Sequence, residues 1–328
     1  MNYFHEEGYV LIAFGIVVLG LLALDLYVFN KEPHKVSTRE AFNWSFLWIG
    51  LGLLFGGYIY LDFGIEKASQ YYSAFLIEKA LSVDNLFVFI LIFRFFKVPD
   101  KYQHKVLFYG ILGAIIFRAI FILSGVALIN KTYLPEFSWM GVVFHMNLIL
   151  TIFGIFLMYA GYKSWKSDEE EADRDFSNSL GIRLVKKLFP VDPRYHEGKF
   201  FVSINGKRFA TQLLIVVAVI EFTDLVFAVD SIPAIFAISQ DPIILYTSNI
   251  FAILGLRALY FLLANSFDMF HYLQHGLSFI LGFIGFKMIL SAVYHLPSPV
   301  SLAVVFGILT ISIGLSVLKY RAEKKQMS

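Results

Sequence analysis

The sequence contains no cysteine in its 328 residues. A disulfide, a thiolate nucleophile, an iron–sulfur cluster and a cysteine-bound zinc are therefore excluded. Charge is also scarce: charged residues make up 16% of the chain and the formal net charge is +2, which predicts no nucleic-acid partner. The GxxxxGK[ST] phosphate loop and the HExxH, GxSxG and GxGD protease motifs do not occur in the chain. The sequence thus predicts neither an ATP-driven pump nor an enzyme.

Apolar sequence fills the chain instead, since 58% of the residues are hydrophobic and the mean hydropathy is +0.69. In lipid every backbone polar group must be bonded within its own segment, and in an open chain only helices achieve this. We therefore predict an all-α, polytopic membrane protein with about nine transmembrane helices. The apolar runs that are long enough to cross a bilayer lie at 9–29, 43–61, 71–96, 105–129, 138–162, 210–239, 243–265, 275–295 and 298–318.

Positive charge predicts the orientation of these spans, because Lys and Arg are retained on the cytoplasmic side. With the N-terminus outside, the cytoplasmic segments hold twenty Lys and Arg, whereas the outside segments hold only Lys67 and Lys131. The first apolar run is longer than a signal-peptide core and has no small-residue cleavage site, so it predicts a retained span. We expect a multi-pass protein of the bacterial inner membrane with a periplasmic N-terminus and a cytoplasmic C-terminus.

The segment 163–209 is the only sizeable polar region. Four apolar residues share one helical face, namely Leu180, Leu184, Val185 and Leu188, and Pro190 stops that helix. The Asn205-Gly206 pair between two short apolar stretches predicts a hairpin with a type I′ turn. We interpret this segment as a cytoplasmic loop with an interfacial helix and a hairpin.

Two stretches of the sequence resemble each other. Each places an acid, five residues, and then an aspartate followed by a small amide or hydroxyl residue. The first copy has Glu78, Asp84 and Asn85 at these positions, and the second has Asp224, Asp230 and Ser231.

The likeness continues into the next two spans. An Ile-Leu-Gly tripeptide precedes Arg118 in the first copy and Arg257 in the second, and Gly161-Tyr162-Lys163 matches Gly285-Phe286-Lys287. The repeated unit is three spans long, and because three is odd the second copy enters the membrane inverted. Inverted repeats are typical of transporters that place one site near mid-membrane. The predicted parts are 1–70 with two spans, the first repeat 71–162, the loop 163–209, the second repeat 210–296, and 297–328 with the last span and a basic tail.

Ionisable residues are unusually frequent within the predicted spans. A charge at the centre of a membrane helix costs roughly 2.5–3.5 kcal/mol, so these side chains require mutual pairing or a wet functional cavity. One alternative is a salt-bridge network that only fixes helix packing. We expect Lys79, Arg94 and Lys287 to lie near span ends and reach the interface. The acids within spans are Asp25, Glu78, Asp84, Glu221, Asp224 and Asp230, and the bases are Lys79, Arg94, Arg118, Arg257 and Lys287.

The chemistry of the repeat motifs indicates a hard cation as ligand. Carboxylate, amide and hydroxyl oxygens suit Mn²⁺, Mg²⁺ or Ca²⁺, and no histidine lies within the motifs. His145, in the fifth predicted span, is interpreted as a packed or interfacial residue.

The second copy contains a proline that the first copy lacks. Pro233 removes a hydrogen bond to the carbonyl of Val229, so this helix is predicted to kink or break beside Asp230 and release an oxygen ligand. Phe87 occupies the corresponding place in the first copy, which predicts a more regular helix there.

These residues resemble the TerC/Alx family of integral membrane proteins, closest to its Alx-type members. The resemblance covers nearly the whole chain and is most specific from Glu78 to Phe89 and from Glu221 to Tyr260. It implies a cation exporter of the cytoplasmic membrane with Mn²⁺ as the favoured cargo, and it carries older labels of tellurium resistance and redox modulation. The ligands implied are Glu78, Asp84 and Asn85 in the first copy and Glu221, Asp224, Asp230 and Ser231 in the second.

The leading hypothesis is secondary export of Mn²⁺ in exchange for protons. Asp25, Arg118, Arg257 and Lys287 are expected to pair charges or act in gating, and no permanently bound cofactor is expected. The alternative is a membrane redox modulator or tellurium-resistance stress protein without transport activity. The partners expected are the divalent ion and the lipid bilayer, with the oligomeric state left open.

Overall fold

The computed structural model describes residues 14–18, 20, 37–135, 137–139, 142–166, 176, 179–264, 272–294 and 296–326. This part of the chain is mostly helical, as predicted. The helices are α1 Thr38–Phe95, α2 Asp100–Lys131, α3 Leu148–Lys166, α4 Leu180–Leu188, α5 Gln212–Phe236, α6 Pro242–Leu254, α7 Leu256–Ala264, α8 Leu273–Leu290 and α9 Ser298–Gln326. The strands are β1 Phe137–Trp139, β2 Val142–Phe144, β3 Val191–Asp192, β4 Phe201–Ile204 and β5 Lys207–Thr211.

Long apolar helices dominate the described residues. Five helical segments there are long and apolar enough to cross a membrane, namely Asp100–Lys131, Leu148–Lys166, Gln212–Phe236, Pro242–Ala264 and Ser298–Glu323. The predicted first span lies outside the described residues except for helical residues 14–18 and 20, and Asp25 lies outside them too. The separation of the last two spans is confirmed, because α8 ends at Leu290 and α9 begins at Ser298.

The second and third predicted spans form one helix with a single interruption at Gly64. Gly64 has φ 80° and ψ −179°, a conformation that favours glycine because it has no Cβ. The chain reverses there, since the hydroxyls of Tyr71 and Tyr72 donate to the carbonyls of Gly52 at 2.9 Å and Leu53 at 2.8 Å. The gap predicted between the spans 43–61 and 71–96 is therefore wrong: these residues are helical, and the turn is made at Gly64.

The helix of the fifth predicted span begins later than predicted. Strands β1 (137–139) and β2 (142–144) pair antiparallel as a hairpin, and α3 begins only at Leu148, where the amide oxygen of Asn147 accepts from the backbone N–H of Leu150 at 3.1 Å. His145 is exposed between the hairpin and the helix. The prediction that places His145 inside the span is therefore wrong.

Two further helix predictions need correction. Helix α5 keeps its helical backbone through Pro233 and ends at Phe236, so the predicted break beside Asp230 does not occur. The span predicted at 243–265 is instead two consecutive helices, α6 and α7, that meet at Gly255. The interruption in the second copy thus lies in its second span and not in its first.

The helix and the hairpin predicted within the polar segment are both present in its described residues, together with the additional strand β3. Asn205 and Gly206 have φ 52° and 75°, as a type I′ turn requires, and they join β4 to β5. Strand β3 pairs in parallel with β5. The guanidinium of Arg194 donates to both carboxylate oxygens of Asp192 at 2.9 and 2.6 Å, and these bonds hold the pKa of Asp192 well below its usual range.

Helices α3 and α8 pack closely along glycines. A Cβ on Gly285 would lie 2.6 Å from the carbonyl oxygen of Gly154, and a Cβ on Gly161 would lie 2.8 Å from that of Ser278. Residues later in α3 contact residues earlier in α8, so the two helices are antiparallel. Small residues that let backbones approach are typical of helix pairs in membranes.

Replacing Gly285 with alanine should destabilise the protein, because the new methyl group meets backbone atoms that have little room to move. Overpacking of this kind costs about 1–3 kcal/mol. Gly282→Ala in the same helix is the matched control, since a Cβ at that position meets nothing within 4 Å. The melting temperature of the detergent-solubilised protein measures the effect. Equal values for the two variants would contradict the close contact.

Candidate functional site: a buried arginine shared by two repeats

The centre of the candidate site is Arg118, whose side chain is 0% exposed. Its guanidinium donates hydrogen bonds to the carboxylate of Glu78 and, at 3.2 Å, to the amide oxygen of Asn249, and it contacts the hydroxyl of Ser231 at 3.5 Å. Its second terminal nitrogen pairs with Asp224 at 3.6 Å. A guanidinium can hold partners from several helices because it presents five donors in one plane. We call these five residues the Arg118 cluster.

The cluster joins the two copies of the sequence repeat. Glu78 lies on α1 and Arg118 on α2, which belong to the first copy; the other three members lie on α5 and α6, which belong to the second. The sequence predicts the acids, the arginine and Ser231 as site residues, and the structure brings these four together.

Helix periodicity explains why Ser231 joins Asp224. Positions seven apart on a helix differ by about 700°, nearly two full turns, and so share a face, whereas positions six apart do not. The same spacing separates Glu78 from Asn85 in the first copy, and Asn85 is buried. The neutral residue predicted as a ligand in each copy, Asn85 or Ser231, therefore shares the helix face of the first acid.

The cluster contains polar atoms that remain unbonded. Glu78 is completely buried and accepts from the hydroxyl of Ser82 at 3.3 Å through the same oxygen that Arg118 contacts. Among the described residues, the other oxygen of Glu78 and the amide nitrogen of Asn249 are buried without a hydrogen-bond partner. Buried polar atoms of this kind are costly unless a water molecule or an ion bonds them.

Glu221 lies one turn before Asp224 on α5, beside α2. Its carboxylate occupies the space where a Cβ of Gly113 would stand. One of its oxygens is buried without a hydrogen-bond partner among the described residues. The glycine of the Ile-Leu-Gly tripeptide in the first copy thus makes room for an acid of the second copy.

A small cavity adjoins the cluster. Asp224 and the buried Arg257 both line a space of about 10 Å³ between α1, α2, α5 and α7. This is near the lower limit of space for one water molecule. Arg257 is therefore next to the site, while its role in charge pairing or gating stays a prediction.

Other predicted site residues lie elsewhere or are not described. Lys287 is buried in the last turn of α8, near a helix end as expected, and lines a separate cavity with Glu66; that it reaches the interface stays a prediction. The backbones of Asp84 and Asp230 lie within α1 and α5, but their side chains are outside what the structure describes. Among the described residues, no three acids or histidines meet in an arrangement that could hold a metal ion.

Two members of the site were missed at the sequence level. Asn249 carries no charge, and its only signal is the polar Thr-Ser-Asn run inside an apolar span. Ser82 lies one turn after Glu78 and gives no signal apart from that spacing.

Lys79 departs from expectation as well: it is half-buried and donates to the carbonyl of Ala252 at 2.9 Å, near the end of α6.

Two polar cavities lie toward opposite ends of the helix segment that carries Glu78. The first, the Glu66 cavity, measures about 420 Å³ and the second, the Gln103 cavity, about 380 Å³. The former is lined by Glu66, Gln70, His145, Asn147, Ser239 and Lys287, among others. The latter is lined by Arg94, Lys97, Asp100, Gln103 and Tyr260, with several apolar side chains.

Three direct contacts tie α1 to neighbouring elements beside the Glu66 cavity. The hydroxyl of Ser298 donates to Glu66 at 2.7 Å, and that of Ser239 donates to Gln70 at 2.8 Å. The ammonium of Lys67 pairs with Asp241 at 2.5 Å. These bonds join the start of the segment after Gly64 to the loop between α5 and α6 and to the first turn of α9.

Comparison with known proteins places the chain in a family. The model of the integral membrane protein TerC family matches residues 63–326. Uncharacterized membrane proteins of Myxococcus xanthus and Rickettsia bellii are each 43% identical, over 93% and 96% of this chain and 90% and 99% of their own lengths. A Salmonella typhi protein with the provisional name membrane-bound redox modulator Alx is 40% identical over 95% of each chain. No solved structure matches the chain. The chain therefore belongs to the TerC family of integral membrane proteins.

Proposed function

We propose that this protein exports a divalent cation, with Mn²⁺ as the preferred cargo, in exchange for protons. The observation that carries the proposal is the Arg118 cluster. In it Glu78 from one repeat and Asp224 from the other both pair with the buried guanidinium of Arg118. Two carboxylates from different repeats at one place are what a mid-membrane site made by a duplicated fold requires.

In the proposed cycle Arg118 acts as the counter-ion of the empty site. Asp84 and Asp230 bind the metal, and Asn85 and Ser231 supply neutral oxygens. Glu78 and Asp224 exchange protons, because carboxylates in a low-dielectric interior gain proton affinity when they lose their positive partner. Metal and proton then compete for the same group of acids.

Helix directions support an inverted repeat within a nine-helix architecture. The third helices of the two copies, α3 and α8, are antiparallel, as their glycine contacts require. The first helices also run in opposite directions. Gln70 contacts Ser239, whereas Glu78, which comes later in α1, meets Ser231, which comes earlier in the chain, through Arg118. Equivalent helices of opposite direction are expected if the second copy is inverted.

The two polar cavities support alternating access. They lie on either side of a tightly packed centre, and an ion would reach the Arg118 cluster from each in turn. The contacts beside the Glu66 cavity, which include the Lys67–Asp241 pair, are suited to open and close one route. We propose that this cavity faces the periplasm and the Gln103 cavity the cytoplasm, with the N-terminus outside and the C-terminus inside the inner membrane.

The second candidate function is a membrane redox modulator or stress protein without transport, and the name of the Salmonella typhi relative favours it. The chain contains no cysteine, so such a role would need an external redox group. Vesicle flux separates the two functions, because only the exporter moves metal.

Asp84→Asn and Asp230→Asn should each abolish Mn²⁺ accumulation in everted membrane vesicles, because each removes a charged metal ligand. The assay compares Mn²⁺, Mg²⁺ and Ca²⁺, with and without a pH gradient. Glu323→Gln is the control, since Glu323 lies in the exposed last turns of α9 in a surface pair with Lys319, where ion pairs contribute little. Normal uptake by both aspartate variants at matched protein levels would overturn the assignment.

Arg118→Met should destabilise the protein by about 3–5 kcal/mol, because it leaves Glu78 as an uncompensated buried charge. Glu78→Gln added to that variant should restore much of the stability but no flux. Thermal melting in detergent and flux in vesicles measure the two properties separately. If the double variant transports at the wild-type rate, the cluster only fixes helix packing.

A further inference from the structure

Helix α4 presents three different faces. At about 100° per residue, Leu180, Leu184 and Leu188 form one stripe, and their side chains are 63%, 44% and 62% exposed. No residue of the described chain covers this stripe enough to bury it. An apolar stripe of three leucines on a nine-residue helix is more than a soluble surface normally leaves open.

The second face holds α4 against the membrane part of the protein. Gly181, Ile182 and Val185 are buried, and a Cβ on Gly181 would lie 2.6 Å from the carbonyl oxygen of Ala218. Ala218 lies about two turns inside α5, a helix long and apolar enough to cross a bilayer. Helix α4 is therefore close to one end of a membrane span.

The third face is cationic. Arg183, Lys186 and Lys187 are exposed, and α4 contains no acidic residue. At helical spacing Arg183 and Lys187 lie on the side of the leucine stripe away from the face packed on α5, whereas Lys186 lies next to Ile182 of that face. The leucine stripe thus has the protein contact on one side and two of the cations on the other.

We propose that α4 is a docking element for anionic phospholipid, with its leucine stripe inserted at the boundary of headgroups and acyl chains. Its three cations contact lipid phosphates and carboxylates. This arrangement of an apolar stripe beside Lys and Arg is the pattern of helices that lie in the membrane interface. Each Lys or Arg near an anionic surface contributes on the order of fivefold to such an equilibrium.

The place and the charge of α4 favour lipid over a second copy of this chain. Helix α4 packs beside Ala218, about two turns inside α5, a helix long and apolar enough to cross a bilayer. A symmetric contact between two copies through this stripe would bring two sets of three cations together, and like charges at an interface are unfavourable. Anionic lipid neutralises the same cations.

The natural absence of cysteine allows a direct test on the full-length protein. Leu184→Cys carries an environment-sensitive fluorophore on the leucine stripe, and Lys207→Cys, on the exposed hairpin, is the matched control. Each labelled protein is reconstituted in phosphatidylcholine alone or mixed with phosphatidylglycerol. Quenching by a nitroxide attached to lipid near its headgroup is compared with quenching by aqueous iodide.

We expect the label at position 184 to be quenched by the lipid nitroxide and protected from iodide, and the label at 207 to show the reverse. Phosphatidylglycerol should increase the lipid quenching at 184. High salt, or Arg183→Gln, Lys186→Gln and Lys187→Gln combined, should remove that increase, since screening weakens exposed charges. Equal iodide quenching at the two positions would overturn the proposal. The proposal would also be overturned if the label at 184 were not quenched by the nitroxide and its protection from iodide increased with the protein-to-lipid ratio. That result would indicate a second copy of the chain as the partner.

Discussion

A cation in the middle of a membrane protein must have partners, and Arg118 determines much of the arrangement around it. Its side chain is fully buried, and the penalty for an unpaired charge at that depth is several kcal/mol. Arg118 lies on α2 and is paired with groups from three other helices, α1, α5 and α6. These helices are therefore tied to one another electrostatically, whatever else the site does.

The same constraint explains why the two repeats depend on each other. Neither copy alone surrounds Arg118: the first supplies Glu78, and the second supplies Asp224, Ser231 and Asn249. Glu221 extends this dependence, because its carboxylate needs the open space at Gly113 of the first copy. The interface between the copies is thus polar at its centre, while the α3 and α8 pair is held by close glycine contacts.

Much of this could be predicted from the sequence, because apolar length and buried charge are strong signals. The spans, the hairpin at Asn205-Gly206 and the joining of Glu78, Arg118 and Asp224 follow from spacing and from the cost of unpaired charge. Asn249 could not be predicted, since a neutral amide in an apolar run leaves no charge imbalance. The turn at Gly64 and the break at Gly255 depend on tertiary contacts. Asp84 and Asp230 remain predictions, because their side chains lie outside the described part of the chain.

The two Ile-Leu-Gly tripeptides have acquired different structural roles. In the first copy Gly113 lies within the continuous helix α2, where its missing side chain admits a carboxylate from the opposite repeat. In the second copy Gly255 separates α6 from α7, close to Trp48 and Lys79. The second helix of the first copy is thus continuous at this point, whereas its counterpart in the second copy is interrupted. If the two copies exchange conformations as proposed, the two end states are therefore not related by two-fold symmetry and differ in energy even with no ion bound.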